Sequence, residues 1–219
     1  MPAIRNLGFR SDHPRGANPD VHRDFANPVP HGDNRIMSIP STPERRATNW
    51  YVITGGPGAG KTTTVNILRE RGYTTTIEGA RHYIDTLRKD GHDPAEERRN
   101  QERFQMEVLR FQIRQEESLD PDQLVFLDRA IPDALAYFRF LYLPLNKTLT
   151  DALATVHYRK VFFLECLPLV NDYARGEDET QQKRLRDLLH EVYHSLPFPL
   201  VHIPVLPAEE RVDFILANL

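Results

Sequence analysis

Eight consecutive residues carry the clearest chemistry in the chain: Gly55-Gly56-Pro57-Gly58-Ala59-Gly60-Lys61-Thr62 fits the phosphate-loop pattern G-x-x-x-x-G-K-[ST] at every fixed position. Glycines let backbone N–H groups turn toward phosphate oxygens without a Cβ in the way, and the following helix N-terminus adds partial positive charge. Lys61 is spaced to reach the β- and γ-phosphates of a nucleoside triphosphate, and the Thr62 hydroxyl to sit on Mg²⁺, with Thr63 next in the same turn.

Phosphoryl chemistry needs further carboxylates and cations, and the chain supplies candidates at strand ends. Leu124-Val125-Phe126-Leu127-Asp128 is an apolar run closed by an acid, the form in which a second carboxylate reaches the magnesium shell. Glu78 ends the threonine-rich run Tyr73–Glu78, and open parallel sheets bind ligands beyond the carboxyl ends of their strands. Two roles are open to it: orienting or deprotonating an acceptor hydroxyl, or pairing with Arg81 three residues on. Arg81 and Arg129 would line the acceptor side. Asp133 lies in the first turn of a helix, where the dipole favours an acid whether or not it has a function. Arg175, within the polar stretch Asn171–Glu179, is placed on a mobile lid able to close over transferred phosphate.

The elements that must position these groups alternate between strand and helix. Trp50–Thr54 reads as the strand before the loop and Lys61–Arg71 as the helix after it. After the Tyr73–Glu78 strand come a helix from Arg81 to the Asp90-Gly91 break and a longer one from about Pro94 to Ser118, with Phe104, Val108 and Phe111 on one face. Leu124–Asp128 is the third strand, Ile131-Pro132-Asp133 opens the next helix, and Lys160–Glu165 and Leu200–Val205 are the fourth and fifth strands. Pro204 marks the last strand as short or marginal. A helix from Ala208 to Asn218 closes the chain.

Two competing motifs weaken on inspection. Asn146-Lys147-Thr148 begins like the Asn-Lys-x-Asp guanine-reading motif, but Leu149 stands where the aspartate must be. His190-Glu191-Val192-Tyr193-His194 matches H-E-x-x-H, yet Leu185, Leu188, Leu189, Val192, Tyr193 and Leu196 form an apolar stripe that puts both histidines on the opposite, solvated side, and no third zinc ligand is apparent.

Composition bounds the rest. The 219 residues suit one substantial core, and the net charge of -3 does not suggest nucleic acid as a partner. Cys166, the only cysteine, lies in an apolar run and reads as a small hydrophobe; no disulfide can form within the chain, which fits a reducing, cytoplasmic setting. No apolar run approaches membrane-spanning length. Residues 1–48 hold seven prolines and few large aliphatic residues, so they are expected to be disordered, with a domain from 49 to 219. The arginines there are interspersed with acids, which argues against a targeting signal, and Met37 would allow a start closer to the first strand.

The pattern resembles a known family. Gly55 to Thr62, Glu78-Gly79-Ala80-Arg81, Leu127-Asp128-Arg129-Ala130-Ile131-Pro132-Asp133 with Tyr137, Phe163-Leu164-Glu165, and Asp172 with Arg175 look like the NadR/Ttd-type AAA domain family over about residues 49 to 218. That family joins a ribosylnicotinamide kinase domain with bacterial ATPases and a phosphoinositide-binding GTPase of fly photoreceptors. Asp128-Arg129 with Ala136-Tyr137 is also similar to the Asp-Arg motif of thymidylate kinases, and the region from Arg175 into Leu189-His190 to the lid of deoxynucleoside kinases. Nothing resembles the second domain or arginine finger of ring-forming ATPases. The resemblance implies an α/β P-loop NTPase fold of the nucleoside or nucleotide kinase kind: a five-stranded, mainly parallel sheet, helices on both faces and a lid.

The activity expected is transfer of the γ-phosphate of ATP, with Mg²⁺, to a small hydroxyl acceptor that is nucleoside-like. Lys61 and the loop from Gly55 to Thr63 would hold the phosphates, Thr62 and Asp128 the metal, and Glu78, Arg81, Arg129 and Asp133 the acceptor, with Arg175 closing over the developing charge. The alternative is a slow nucleotide-dependent switch whose target is a protein or phosphoinositide.

Overall fold

The structure is a computed structural model that describes residues 47–166 and 176–219. Three apolar segments form its centre: β1 (Trp50–Gly55), β3 (Val125–Asp128) and β4 (Lys160–Leu164), with β1 and β3 buried throughout. Strands covered on both faces can be continuously apolar, which is why these do not alternate. β2 (Thr74–Thr75) and β5 (Leu200–Ile203) lie at the edges, in the order β2-β3-β1-β4-β5. Every pairing is parallel. The register puts Ile53 opposite Asp128 and Gly55 opposite Leu164, so the turn leaving β1 opens just beyond the carboxylate that ends β3.

Helices cover both faces of this sheet. Tyr51, Ile53, Phe126, Phe162 and Leu164 pack with Val65 and Leu68 of α1 (Lys61–Glu70) and Val212 and Ile215 of α8 (Ala208–Ala217). Val52, Val125, Leu127, Val161 and Phe163 pack on the other face with α4 (Gln101–Glu117), α5 (Ile131–Phe140), α6 (Lys147–Thr155) and α7 (Gly176–His194). α2 (Gly79–Lys89) lies against α4, with Gly79 close to Val108 and Phe111; a Cβ at 79 would come 3.0 Å from the Phe111 ring. Part of the aromatic face read from sequence therefore serves helix α2.

Several boundaries differ from expectation for local reasons. The second strand pairs only over Thr74–Thr75, because Glu78 already caps α2, in extended conformation. The long helix breaks at Asn100, whose side-chain oxygen accepts the Arg103 amide, leaving α3 (Pro94–Arg99) and α4. Helix α6 has no counterpart in the expected elements: Asn146 caps it by accepting the Leu149 amide, so the guanine-like tripeptide is a helix start. Gly176–Glu179, expected within a loop, are the first turn of α7. β5 ends at Ile203 before Pro204, at a sheet edge, as that proline required. Residues 1–46 of the leading segment and residues 171–175 of the expected lid lie outside the described residues, whereas Thr48 is buried and its hydroxyl donates to the His157 carbonyl.

Candidate functional site

The phosphate loop leaves β1 at Gly55 and enters α1 at Lys61 through backbone that only glycine takes easily. Gly60 caps the helix at φ 80°, in the left-handed region. Gly55 has φ 141°, and a Cβ there would sit 2.5 Å from the Leu164 carbonyl oxygen. The loop can therefore run close beside β4. Lys61 is 7% exposed, and its ammonium donates to the Gly55 and Gly56 carbonyls at 2.8 and 2.7 Å. Burial lowers its pKa to about 7; Arg129 lowers it further, against the opposing pull of Asp133, Asp128 and Glu78. Those four charges are among the candidates read from the sequence, three around strand ends and Asp133 in a first helical turn, and the fold brings them around one lysine.

Asp128 is 3% exposed, and its Oδ1 has no hydrogen-bond partner among the described residues. Its backbone N–H donates to the Thr76 hydroxyl at 2.9 Å, which fixes the end of β3 to the segment after β2. Burial, reinforced by the nearby Glu78 charge, raises the carboxyl pKa to about 6, while Arg129 and Lys61 oppose the rise. A buried carboxylate oxygen with no protein donor is costly, and a divalent cation carrying its own water is a group it would suit. Thr62, half-buried in the first turn of α1, supplies the second oxygen of that donor set. The residues present thus fit Mg²⁺.

Arg129 is the organising cation of this cluster. Its φ of 68° is uncommon for a residue with a Cβ, and such backbone persists only where surroundings hold it. Here the Arg129 N–H donates to the Ile53 carbonyl at 3.1 Å, while the Gln112 amide donates to the Arg129 carbonyl at 3.4 Å. The guanidinium donates to Glu78 at 3.1 Å and Asp133 at 3.3 Å, and lies 5.6 Å from the centre of the Tyr137 ring. Burial alone would lower its pKa, but Tyr137, Asp133, Glu78 and Asp128 outweigh burial and push it up. Glu78 therefore has an ion-pair partner other than the expected one: Arg129 holds it, and Arg81 is exposed on α2.

Both Asp133 oxygens are engaged. One accepts from the Thr54 hydroxyl at 3.0 Å and from Arg129; the other accepts from the Ala130 amide at 3.2 Å and from the Tyr193 hydroxyl. This capping of α5 joins β1, α5 and α7 and orients Arg129. Arg175 lies outside the described residues.

Other residues near the site gave no local signal. Glu116 is buried on α4 and accepts from Gln112 at 3.0 Å, the Ile131 amide at 3.1 Å and the Tyr158 hydroxyl at 2.8 Å. Desolvation raises its pKa to about 7, despite the lowering effect of those three donors. It braces the Gln112 that braces Arg129. Arg211 of α8, 3% exposed, donates to the Ala59 carbonyl at 3.0 Å.

The histidines of the H-E-x-x-H run divide. His194 is exposed as expected, but His190 is half-buried, its ring 5.5 Å from that of Phe163 and 5.1 Å from that of His202. Glu191 pairs with Arg139 at 3.0 Å, and Leu185, Leu189, Val192 and Tyr193 form the buried stripe. No cluster of three or more metal-ligating side chains occurs among the described residues. Cys166 is half-buried rather than buried; a Cβ on Gly56 would lie 2.9 Å from its sulfur. No described helix is long and apolar enough to cross a membrane.

Comparison with known proteins agrees with this fold. The family model described as AAA domain matches residues 50–211. No curated protein gives a significant match. Among solved structures, a NadR protein in complex with NR aligns with TM-score 0.53 and 18% identity over 77% of this chain and 50% of its own, so the chain spans about half of that protein. A thymidylate kinase from Ehrlichia chaffeensis aligns with TM-score 0.51 and 16% identity, and a deoxyadenosine kinase from M. mycoides with 0.50 and 18%, each over 77% of this chain and 97% of its own. At these identities the likeness is one of fold.

Proposed function

Given that the chain belongs to the AAA domain family, we propose that it is an ATP-dependent phosphotransferase acting on a small, nucleoside-like hydroxyl compound in the cytoplasm. One observation carries this reading: the loop lysine, the partnerless Asp128 oxygen and the Glu78–Arg129 pair converge at the same end of β1 and β3. A carboxylate held by its own arginine beside the metal-binding acid supports a base for an incoming hydroxyl, and the pairing keeps it in place.

In the proposed step the acceptor oxygen attacks the γ-phosphorus of ATP, a new P–O bond forms, the bond to the bridging oxygen breaks, and ADP leaves with that electron pair. Glu78 takes the hydroxyl proton and later returns it to water. Lys61 gives up the Gly55 and Gly56 carbonyls for phosphate oxygens, and the loop amides hold the chain of phosphates. Mg²⁺ on Thr62 and Asp128 would neutralise phosphate charge. Arg129 keeps Glu78 in place, while Arg81 and Arg175 are the further cations proposed for the acceptor and the transferred group.

Release of ADP across a library of nucleosides and vitamin precursors tests the reading. A kinase turns over only with its acceptor. Slow hydrolysis that no small molecule alters would favour the nucleotide switch instead.

A further inference from the structure

Arg211 has no acid paired with it among the described residues. Its residue is 3% exposed, and its guanidinium donates to two main-chain carbonyls, Ala59 and Leu206, each at 3.0 Å, and to the Thr64 hydroxyl at 3.4 Å. No carboxylate among the described residues forms an ion pair with it. Glu209 and Asp213 of its own helix are both bound to Arg71, at 2.5 Å each. A buried cation in this state is expensive, and buried charges are ordinarily paired.

Its position suggests what completes it. The guanidinium lies directly behind the phosphate loop, so close that a Cβ on Gly60 would fall 2.4 Å from the Nη1 atom. Nη1 bonds the Ala59 carbonyl. Because a trans peptide points its C=O and N–H in opposite directions, the Gly60 N–H is turned away from Arg211. A charged donor on the carbonyl also polarises that peptide and strengthens its N–H as a donor on the other side. One peptide unit thus separates the cation from the anion cradle.

We propose that Arg211 is a positioning residue of the phosphate loop whose counter-charge is the bound polyphosphate. It holds the Ala59–Gly60 peptide in its donor orientation and adds a buried positive charge behind it, so its contribution grows with the number of phosphates. The proposal rests on reading the loop as a phosphate site and extends it by a residue that lies 152 positions from Ala59.

Titration calorimetry on the full chain tests this with ATP, ADP, adenosine and inorganic tripolyphosphate, using the wild type, two neutral variants (R211M and R211Q) and the charged R211K. The neutral variants should weaken ATP and tripolyphosphate roughly tenfold or more, the scale set by removing a unit charge a few ångström away at intermediate dielectric, and should weaken ADP less. Adenosine should be unaffected, and R211K should recover most of the loss. If R211M does not fold, R211Q against R211K carries the same comparison. Equal losses for ATP, ADP and adenosine, or an unchanged tripolyphosphate affinity in a folded neutral variant, would overturn the proposal. A wild type that binds neither ATP nor tripolyphosphate would instead overturn the phosphate-site reading itself.

Discussion

Two arginines, Arg211 buried and Arg129 half-buried, lie at the phosphate-loop end of the sheet, and their charges are balanced in opposite ways. Arg129, on the face covered by α4, α5 and α7, is held by Glu78, Asp133 and Tyr137 in a strained backbone position. Arg211, on the face covered by α1 and α8, meets two carbonyls and a hydroxyl and no acid among the described residues. The first is balanced by the protein's own acids; the second, in the proposal above, by polyphosphate bound across the loop peptide. A saturated cation is suited to hold a catalytic carboxylate still, whereas an open one is suited to raise affinity for an anion.

Mutating Arg129 should break the comparison most visibly. Arg129→Ala leaves Glu78 and Asp133 without their cation and keeps a Cβ in a left-handed position, so it should cost about 3 to 5 kcal/mol in denaturant unfolding. Arg211→Met orphans no acid and loses a few hydrogen bonds, so it should cost less, on the order of 1 to 2 kcal/mol. A larger loss at 211 than at 129 would reverse the assignment of closed and open charges.

Glu78→Gln sharpens the role of the closed side. The amide keeps size and shape but not basicity, and should depress acceptor-dependent turnover by about 10² while ATP affinity stays near that of the wild type. If melting temperature falls and turnover merely follows the folded fraction, Glu78 is only the partner of Arg129.

Glu116 gives a pH test of the bracing behind Arg129. Its folded pKa, about 7, is raised above the ordinary carboxyl value near 4.5, so the fold binds this proton more tightly than the unfolded chain. The resulting stability is full below pH 4.5 and is lost as pH rises through 7. Its size is on the order of 3 kcal/mol. Glu116→Gln can accept from Gln112 and Ile131 on its oxygen and donate to Tyr158, so it should flatten that part of the stability profile between about pH 4.5 and 7. A profile as steep as that of the wild type would assign the slope to other groups, with Asp128 the first candidate.

The smallest effect concerns Lys61. Burial holds its pKa at about 7, so at pH 8 much of it is neutral, and phosphate should restore the proton. ATP binding at pH 8 should then take up a fraction of a proton, read from calorimetric heats in buffers of different ionisation enthalpy. The uptake should vanish in Lys61→Met.

How much the residues alone could tell depends on the range of the interactions. The strand, loop and helix from Trp50 to Glu70, and the acid that ends β3 with the arginine after it, are local patterns whose chemistry demands fixed spacing, so they were legible in the sequence. Edge strand β2 is shorter than its threonines suggest because Thr74 and Thr75 are in ladder register with β3, while Thr76 is tied to it through single hydrogen bonds as the chain turns toward α2. Helix α6 carried a signal that could have been used, an asparagine cap followed by Leu149 and Ala152 at helical spacing. The partner of Glu78, the half-buried ring of His190 and the bond from Arg211 to Ala59 depend on contacts between distant segments. No window of the sequence contains them.

The central claim is that the loop end of this sheet transfers phosphate to a hydroxyl group, and the fate of the γ-phosphate tests it most directly. With γ-labelled ATP, Mg²⁺ and an acceptor found by ADP release, the label should appear on the acceptor in proportion to ADP formed. Lys61→Ala should reduce that transfer by roughly 10² to 10³ with the fold intact. Label recovered only as inorganic phosphate, at a rate indifferent to every acceptor, would contradict the account.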